Sequence, residues 1–87
     1  MEKLPDNYLI VELKAPNKIC DEKLGSIRLR EDFGLNLITI LRASNKNEVL
    51  NHHIFGIPSA DTIIHANDIL VLFGNSKDIT KFIDINN

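Results

Sequence analysis

The sequence predicts a small α+β domain, in which a mostly antiparallel or mixed sheet carries two helices on one face in the order β-α-β-β-β-α. Short apolar and β-branched runs recur between turn residues, as strands do. Two other stretches place apolar residues at helical spacing. The 87 residues fit one domain by size. We expect residues 1–87 to be a single domain with its core at about residues 8–83, and to be a fragment of a longer protein.

The first strand and the first helix are predicted before residue 35. Residues 8–14, "YLIVELK", are apolar and β-branched, and the turn residues "APN" end the strand. Residues 20–30, "CDEKLGSIRLR", place Leu24 and Ile27 on one side at helical spacing. Gly34 then suits a left-handed position at the end of this helix.

The second strand is predicted at residues 35–42, "LNLITILR". Simple alternation puts Leu35, Leu37, Thr39 and Leu41 on one face, and Asn36, Ile38, Ile40 and Arg42 on the other. Both faces are mostly apolar, so we expect a helix, a neighbouring subunit or a ligand to cover the second one. Residues 43–53 have the least ordered pattern, and residues 54–58, "IFGIP", are expected to form a short edge strand.

The last unit is "NDILVLFGNSKDITKF", which is residues 67–82. Asn67 is expected in a left-handed turn, and residues 69–73 in a central strand that Gly74 ends. Asn75, with Asp78 three residues later, forms an N-cap pattern that resembles a capping box. The apolar stripe of the last helix consists of Ile79, Phe82 and Ile83.

Composition excludes several classes of function. A formal charge of −2 and a pI near 5.8 do not fit the concentrated basic face of a nucleic-acid binder. The single Cys20 has no partner for an internal disulfide, which favours a reducing, cytoplasmic setting. No apolar run approaches the roughly 20 residues that span a bilayer, so we expect no membrane insertion by this chain itself.

Candidate catalytic and metal-binding residues are few. His52, His53 and His65 have no completing cysteine or carboxylate pattern, so we interpret them as exposed loop histidines and expect no metal. Cys20 is followed by two acidic residues, which do not give the electropositive setting of a reactive thiolate, and it is interpreted as a packing residue. The sequence offers no convergent acid, base and nucleophile, so it is not expected to be an enzyme.

Two quoted stretches carry a family resemblance. "DEKLGSIRLREDFGLNLITILR" resembles a pattern in which a short helix leads through an Arg-x-x-aromatic-Gly turn to an apolar strand ending in arginine. "NDILVLFGNSKDITKF" is similar to its second half, a Gly-Asp turn, a strand, a glycine and a helix. Together they resemble the TrkA C-terminal domain, also called the RCK C-terminal domain, of cytoplasmic potassium-transport regulators. The residues that carry the resemblance are Leu24, Arg30, Phe33, Gly34, Arg42, Asp68, Gly74, Asp78 and Phe82.

The chain departs from the family pattern in two places. Asn67 stands where the family usually has glycine, a position that asparagine tolerates. The stretch between Arg42 and Pro58 is longer than the family's usual crossing, and it lies near the place where family members hold ligands. The resemblance therefore says less about the identity of the ligand than about the fold.

The resemblance implies a non-catalytic, cytoplasmic, ligand-sensing and dimerisation domain of a potassium (cation) transport protein or channel. Some family members bind cyclic di-AMP across the two-fold axis of a homodimer. Carried over, this implies a ligand site formed by Asn36, Ile38, Leu41, Arg42 and Pro58, with Arg42 on a phosphate and Ile38 or Leu41 against a base.

One alternative stays open at this point. The chain could be a purely structural dimerisation domain, without a small-molecule ligand, attached to another transporter or to a transcription regulator. Ile38 and Leu41 would then be core or dimer residues, and Arg42 a solvated strand end.

Overall fold

The fold is an antiparallel five-stranded sheet with helices on one face. The computed structural model describes residues 1–46 and 49–87. Every strand pairs antiparallel with its neighbours, in the spatial order β1-β2-β5-β3-β4. The predicted fold class and the central position of the last strand are confirmed. The elements are β1 (Glu2–Lys3), β2 (Tyr8–Lys14), α1 (Leu24–Ile27), α2 (Leu29–Phe33), β3 (Asn36–Lys46), β4 (Val49–Ile54), β5 (Ile69–Asn75) and α3 (Ser76–Asn86).

The first helical region is broken, which corrects the prediction of one helix over residues 20–30. A 3-10 turn at Asn17–Ile19 precedes α1, and Arg28 separates α1 from α2 in the left-handed region, with φ 59° and ψ 48°. The break lets α2 turn so that Leu29 is buried. Gly34 ends α2 with φ 65°, as predicted, and its N–H donates to the Arg30 carbonyl.

A bulge in β3 corrects the predicted alternation. Leu37 is paired with Leu72 and Thr39 with Val71, so Ile38 is an extra residue that shifts the strand by one position. Directly paired side chains share a face of the sheet. Leu37 and Ile40 therefore lie together on the face that the helices cover, although simple alternation separates them.

Strand β3 continues much further than predicted. It runs to Lys46 and pairs with β4, so the description of residues 43–53 as the least ordered part is wrong for the described residues among them. Residues 47 and 48 lie outside the described residues. Strand β4 forms the edge of the sheet beside β3 and ends at Ile54, so the edge strand predicted at residues 54–58 is also wrong. Backbone pairing with β3 stabilises β4. Because much of this hairpin is polar in sequence, it does not show the apolar pattern from which a buried strand is predicted.

The turn before β5 and the cap after it are confirmed, but the strand does not stop at Gly74. Asn67 has φ 71°, and Asn75 caps α3 by accepting a hydrogen bond from the Lys77 N–H at 3.0 Å. Gly74 stays in the sheet, paired with Leu9. Its missing side chain leaves room for the buried Leu35, whose Cδ2 would overlap a Cβ at this position.

The core lies between one sheet face and the helices. Val11, Leu70 and Leu72 project from the sheet, and Ile79 and Phe82 meet them from α3. The opposite sheet face, which we call the open face, carries side chains that this chain leaves half-buried or exposed. Its aromatic and aliphatic members are Tyr8, Ile10, Leu41, Ile69, Val71 and Phe73, and its polar members are Glu12, Lys14, Asn36, Thr39 and Asn75. Within the two described ranges, no helix has the length and apolar character needed to cross a membrane.

Candidate functional site

A cavity of about 260 Å³ opens between the broken helix and the start of β3. Leu24 and Leu37 give it apolar walls, and Pro58 closes a further side. Arg30 and Asn36 provide polar groups at the same cavity. An apolar cleft with a few converging polar groups is the usual form of a small-molecule site.

Arg30 and Asn36 form the polar centre of the cavity. The Arg30 Nη2 donates to the Asn36 Oδ1 at 2.7 Å. They meet because the left-handed Gly34 reverses the chain after α2 and starts β3 beside it. Arg30 is exposed and Asn36 half-buried, so this guanidinium remains accessible to an anionic ligand.

Arg28 also lines the cavity, but acidic neighbours hold it. Its Nε donates to the Asp32 Oδ1 at 3.2 Å, and its Nη1 lies 3.8 Å from the Glu31 Oε2. The positive φ of Arg28 is uncommon for a residue with a side chain. Arg30 is therefore the more available of the two guanidinium groups.

Residues 55–63, which we call the crossing segment, bring Pro58 to the cavity. The Phe55 N–H donates to the Ile40 carbonyl at 2.8 Å, and the Thr39 Oγ1 donates to the Gly56 carbonyl at 2.6 Å. Both bonds fasten the start of the segment along β3. Pro58 therefore comes to lie opposite α1 and α2.

Arg42 is occupied elsewhere. Its Nε donates to the Asp68 Oδ1 at 3.0 Å, and its Nη2 donates to the Asp68 Oδ2 and the Ile63 carbonyl, both at 2.8 Å. Asp68 is only 1% exposed. Burial by itself raises the pKa of Asp68, but the hydrogen bonds from Arg42 and the His65 N–H outweigh it and lower the pKa below its ordinary value.

The structure brings together only part of the predicted ligand site. Asn36 and Pro58 line the cavity, and Ile38 is 42% exposed at the bulge. Leu41 lies on the open face, paired with Ile69, and Arg42 points to the helix-covered face. Sequence reasoning did not assign Arg30 to the site, although its signal was present as the first residue of the Arg-x-x-aromatic-Gly turn.

The remaining candidate residues do not converge. His52 and His53 are adjacent on β4, opposite Ala43 and Arg42, and both are exposed. The prediction of loop histidines is therefore wrong in its location, since the pair lies in a strand. Cys20 is half-buried and its Sγ lies 3.5 Å from the Pro16 carbonyl. In the described part of the chain, no three His, Cys, Asp or Glu side chains cluster as a metal site would require.

Comparison with known proteins identifies the family of this chain. The model of the TrkA-C domain family matches residues 8–87. Two similar relatives from Bacillus subtilis (strain 168) are Ktr system potassium uptake protein C, 26% identical over 80 residues, and Ktr system potassium uptake protein A, 32% identical over 81 residues. These alignments cover 92% and 91% of this chain but only 33% and 32% of those proteins. A third relative from that organism, the K(+)/H(+) antiporter subunit KhtT, is 37% identical over 60 residues, which are 69% of this chain and 32% of that protein.

A similar solved structure is the RCK C domain of the potassium transport protein KtrA, determined in complex with cyclic diadenosine monophosphate. Its TM-score is 0.69 at 26% identity, and the match covers 92% of this chain and 85% of that one. The family match spans nearly the whole chain, including the cavity and the Arg42–Asp68 pair. This chain therefore belongs to the TrkA-C domain family.

Proposed function

We propose that this chain is a non-catalytic regulatory domain that senses a small molecule for a potassium or other cation transport system. Its relatives support this role, since two of them are potassium uptake proteins and one is an antiporter subunit. The chain spans about a third of their length, so its attachment to a membrane transporter or channel, covalent or by association, is part of the proposal. We place the domain on the cytoplasmic face of the membrane.

The proposed ligand is cyclic di-AMP or a related nucleotide, bound at the cavity. The observation that carries this proposal is the Arg30–Asn36 pair set between apolar walls. A guanidinium can hold a phosphate through two hydrogen bonds, and an amide can read the edge of an adenine. Leu24, Leu37 and Pro58 supply surfaces against which a base can pack. The similar KtrA domain was solved with cyclic di-AMP.

The size of the cavity supports a site shared by two copies. Its 260 Å³ lies just below the range of roughly 300–1,000 Å³ that is usual for a whole drug-sized ligand. Asn36 lines the cavity and is paired with Phe73 of the open face, so the cavity lies at the edge of that face. A cyclic dinucleotide has two nucleotide halves, and two cavities brought together at that edge across a two-fold axis would each hold one half. Ligand binding then strengthens dimerisation by linkage, and a change in dimer geometry transmits occupancy to the transporter.

The geometry favours a different arginine from the one proposed by the family pattern. A phosphate on Arg42 would compete with the bonds that this side chain makes to Asp68 and Ile63. We therefore propose that Arg30 holds the phosphate. Asn36, Pro58 and the exposed Ile38 stay in the proposed site, while Leu41 is assigned to the dimer face.

The open face supports the homodimer. Tyr8 is 40% exposed, and Ile10, Val71 and Phe73 extend an apolar patch from it, with Glu12 beside the patch. An apolar patch of this kind is more often an interaction surface than a solvated one. A symmetric contact between two copies would cover it on both.

Calorimetric titration with cyclic di-AMP tests the proposed function. We expect one ligand per dimer for the wild type and a roughly ten- to hundredfold loss of affinity in Arg30→Ala, as for one charge-assisted contact. Lys81→Ala, on the exposed side of α3, is the control that removes a positive charge away from the cavity. Equal affinity of Arg30→Ala and the wild type would place the ligand elsewhere. A wild-type dimer that binds no nucleotide would favour the purely structural dimerisation domain.

A further inference from the structure

The crossing segment has no strand of the main sheet within it, yet it supplies one wall of the cavity. Its Ile57 is 95% exposed, and Pro58 follows it. The position of Pro58 therefore depends on the contacts that fasten the segment on either side of it.

Arg42 contacts the segment near both of its ends. Its guanidinium lies over the Phe55 ring, 4.7 Å from the ring centroid, and its Nη2 donates to the Ile63 carbonyl at 2.8 Å. Asp68 holds the same guanidinium through two hydrogen bonds. The His65 N–H in turn donates to the Asp68 Oδ2 at 2.8 Å, so the pair has little freedom to move.

The middle of the segment rests against α1. The Gly25 N–H donates to the Ala60 carbonyl at 2.9 Å, and a Cβ at Gly25 would lie 3.0 Å from the Ala60 Cβ. The Ser59 N–H donates to the Thr62 Oγ1 at 2.9 Å, which keeps the turn after Pro58 tight. The segment is thus a braced loop whose ends both meet Arg42.

We propose that Arg42 is a positioning residue for the ligand cavity: through Phe55 and Ile63 it sets where Pro58 stands relative to Arg30, and it governs ligand affinity without touching the ligand. This inference rests on the proposed function. Its physical basis is that a guanidinium can hydrogen-bond to Asp68 and to the Ile63 carbonyl together while it lies over an aromatic ring. A lysine keeps the charge but cannot make all three contacts.

A double-mutant cycle between Arg42→Lys and Pro58→Ala tests it, because Arg42→Lys keeps a charge beside Asp68 and is expected to fold. We expect Arg42→Lys to weaken cyclic di-AMP binding roughly three- to tenfold when it is introduced into the wild-type protein. Introduced into the Pro58→Ala variant, it should have little further effect, because the effects of coupled residues are not additive. Arg30→Lys is the matched control and should weaken binding in both backgrounds alike. Additive losses for Arg42→Lys and Pro58→Ala, or an unchanged affinity in Arg42→Lys, would overturn the inference.

Amide hydrogen exchange on the ligand-free protein separates this inference from the proposed function. The Phe55 N–H and the Thr62 N–H are hydrogen-bonded within or beside the segment. We expect Arg42→Lys to speed their exchange roughly tenfold and to leave the buried Leu72 amide unchanged, because only local opening is affected. If the wild type binds no nucleotide, the proposed function fails, and exchange still decides whether Arg42 positions the segment. Unchanged exchange at Phe55 and Thr62 would overturn that.

Discussion

The rings of Tyr8 and Phe73 stack on the open face of the sheet, with centroids 5.4 Å apart and an angle of 21° between their planes. They belong to neighbouring strands, β2 and β5, and lie on the diagonal of the ladder, since Tyr8 is paired with Asn75. A stacked aromatic pair is a large, rigid apolar surface, and aromatic residues are enriched at protein interfaces. Its position on the face away from the helices motivates the first prediction.

We predict that Val71→Glu converts the proposed homodimer into a monomer. Val71 lies at the middle of the open face, opposite Glu12, and a second carboxylate there would have to be desolvated beside the first in a dimer contact. Light scattering across micromolar concentrations measures the change. Glu12→Gln is a control on the same face, at an exposed position paired with Val71. A wild type that stays monomeric throughout, or a dimeric Val71→Glu, would refute the assignment of this face.

The Arg42–Asp68 pair should give the protein a specific acid sensitivity. The pKa of Asp68 is lowered in the folded protein, so the pair contributes stability that is present above the unfolded pKa of about 3.9 and is lost as pH falls through the lower folded value. Asp68→Asn should reduce the free energy of unfolding at pH 7 by about 3 kcal/mol. The difference from wild type should shrink below about pH 4. Urea unfolding at pH 7, 4 and 3 measures it, and a difference independent of pH would contradict the prediction.

Gly74→Ala should destabilise the fold although alanine favours strands more than glycine does. The added Cβ would overlap the Leu35 side chain, which is 1% exposed and has little space to move. Overpacking of this kind typically costs about 1–3 kcal/mol. Thermal unfolding followed by circular dichroism provides the measurement. Gly56→Ala serves as a contrast, because a Cβ added at this position would meet no neighbouring atom within 4 Å. Only the φ of 103° at Gly56 makes alanine unfavourable there.

Asn67 should tolerate glycine better than alanine. Its φ of 71° is left-handed, a conformation that costs a residue with a Cβ roughly 1–2 kcal/mol and glycine almost nothing. We expect Asn67→Gly to match or exceed wild-type stability and Asn67→Ala to lose about 1 kcal/mol. Comparing the free energies of unfolding of the two variants with that of the wild type tests this prediction. A less stable Asn67→Gly would mean that the asparagine side chain contributes more than its backbone conformation does.

The strands whose residues alternate between apolar and polar, or form a continuous apolar run, could be predicted from sequence. The bulge within β3 and the break between α1 and α2 could not. β2 matches its predicted bounds because a β-branched run between turn residues has few other solutions. The bulge at Ile38 was hidden because both faces of that stretch are apolar, so either register satisfies the pattern. The break at Arg28 was hidden because arginine rarely adopts a positive φ.

The candidate site was predicted in part for a related reason. Asn36 and Pro58 were assigned through the family pattern, and both line the cavity. Arg30 lies on a short helix, where a charged side chain is normally a solvated one, and only the turn at Gly34 brings it to Asn36. Arg42 was expected at a ligand because it is the lone guanidinium at a strand end. Its pairing with Asp68, 26 residues further along the chain, is a tertiary contact that the sequence pattern does not show.

The extra residue at position 38 also determines how this strand can change in length. Because Ile38 is the inserted residue, removing it would restore strict alternation and leave Leu35, Leu37 and Ile40 on the face that they occupy now. A second inserted residue would instead turn the side chains on one side of it to the opposite face of the sheet. Deletion of Ile38 is therefore expected to be better tolerated than an insertion beside it. Beyond Arg42 the hairpin is a simple ladder, which can gain or lose a matched pair of residues, one from each strand, without disturbing the core.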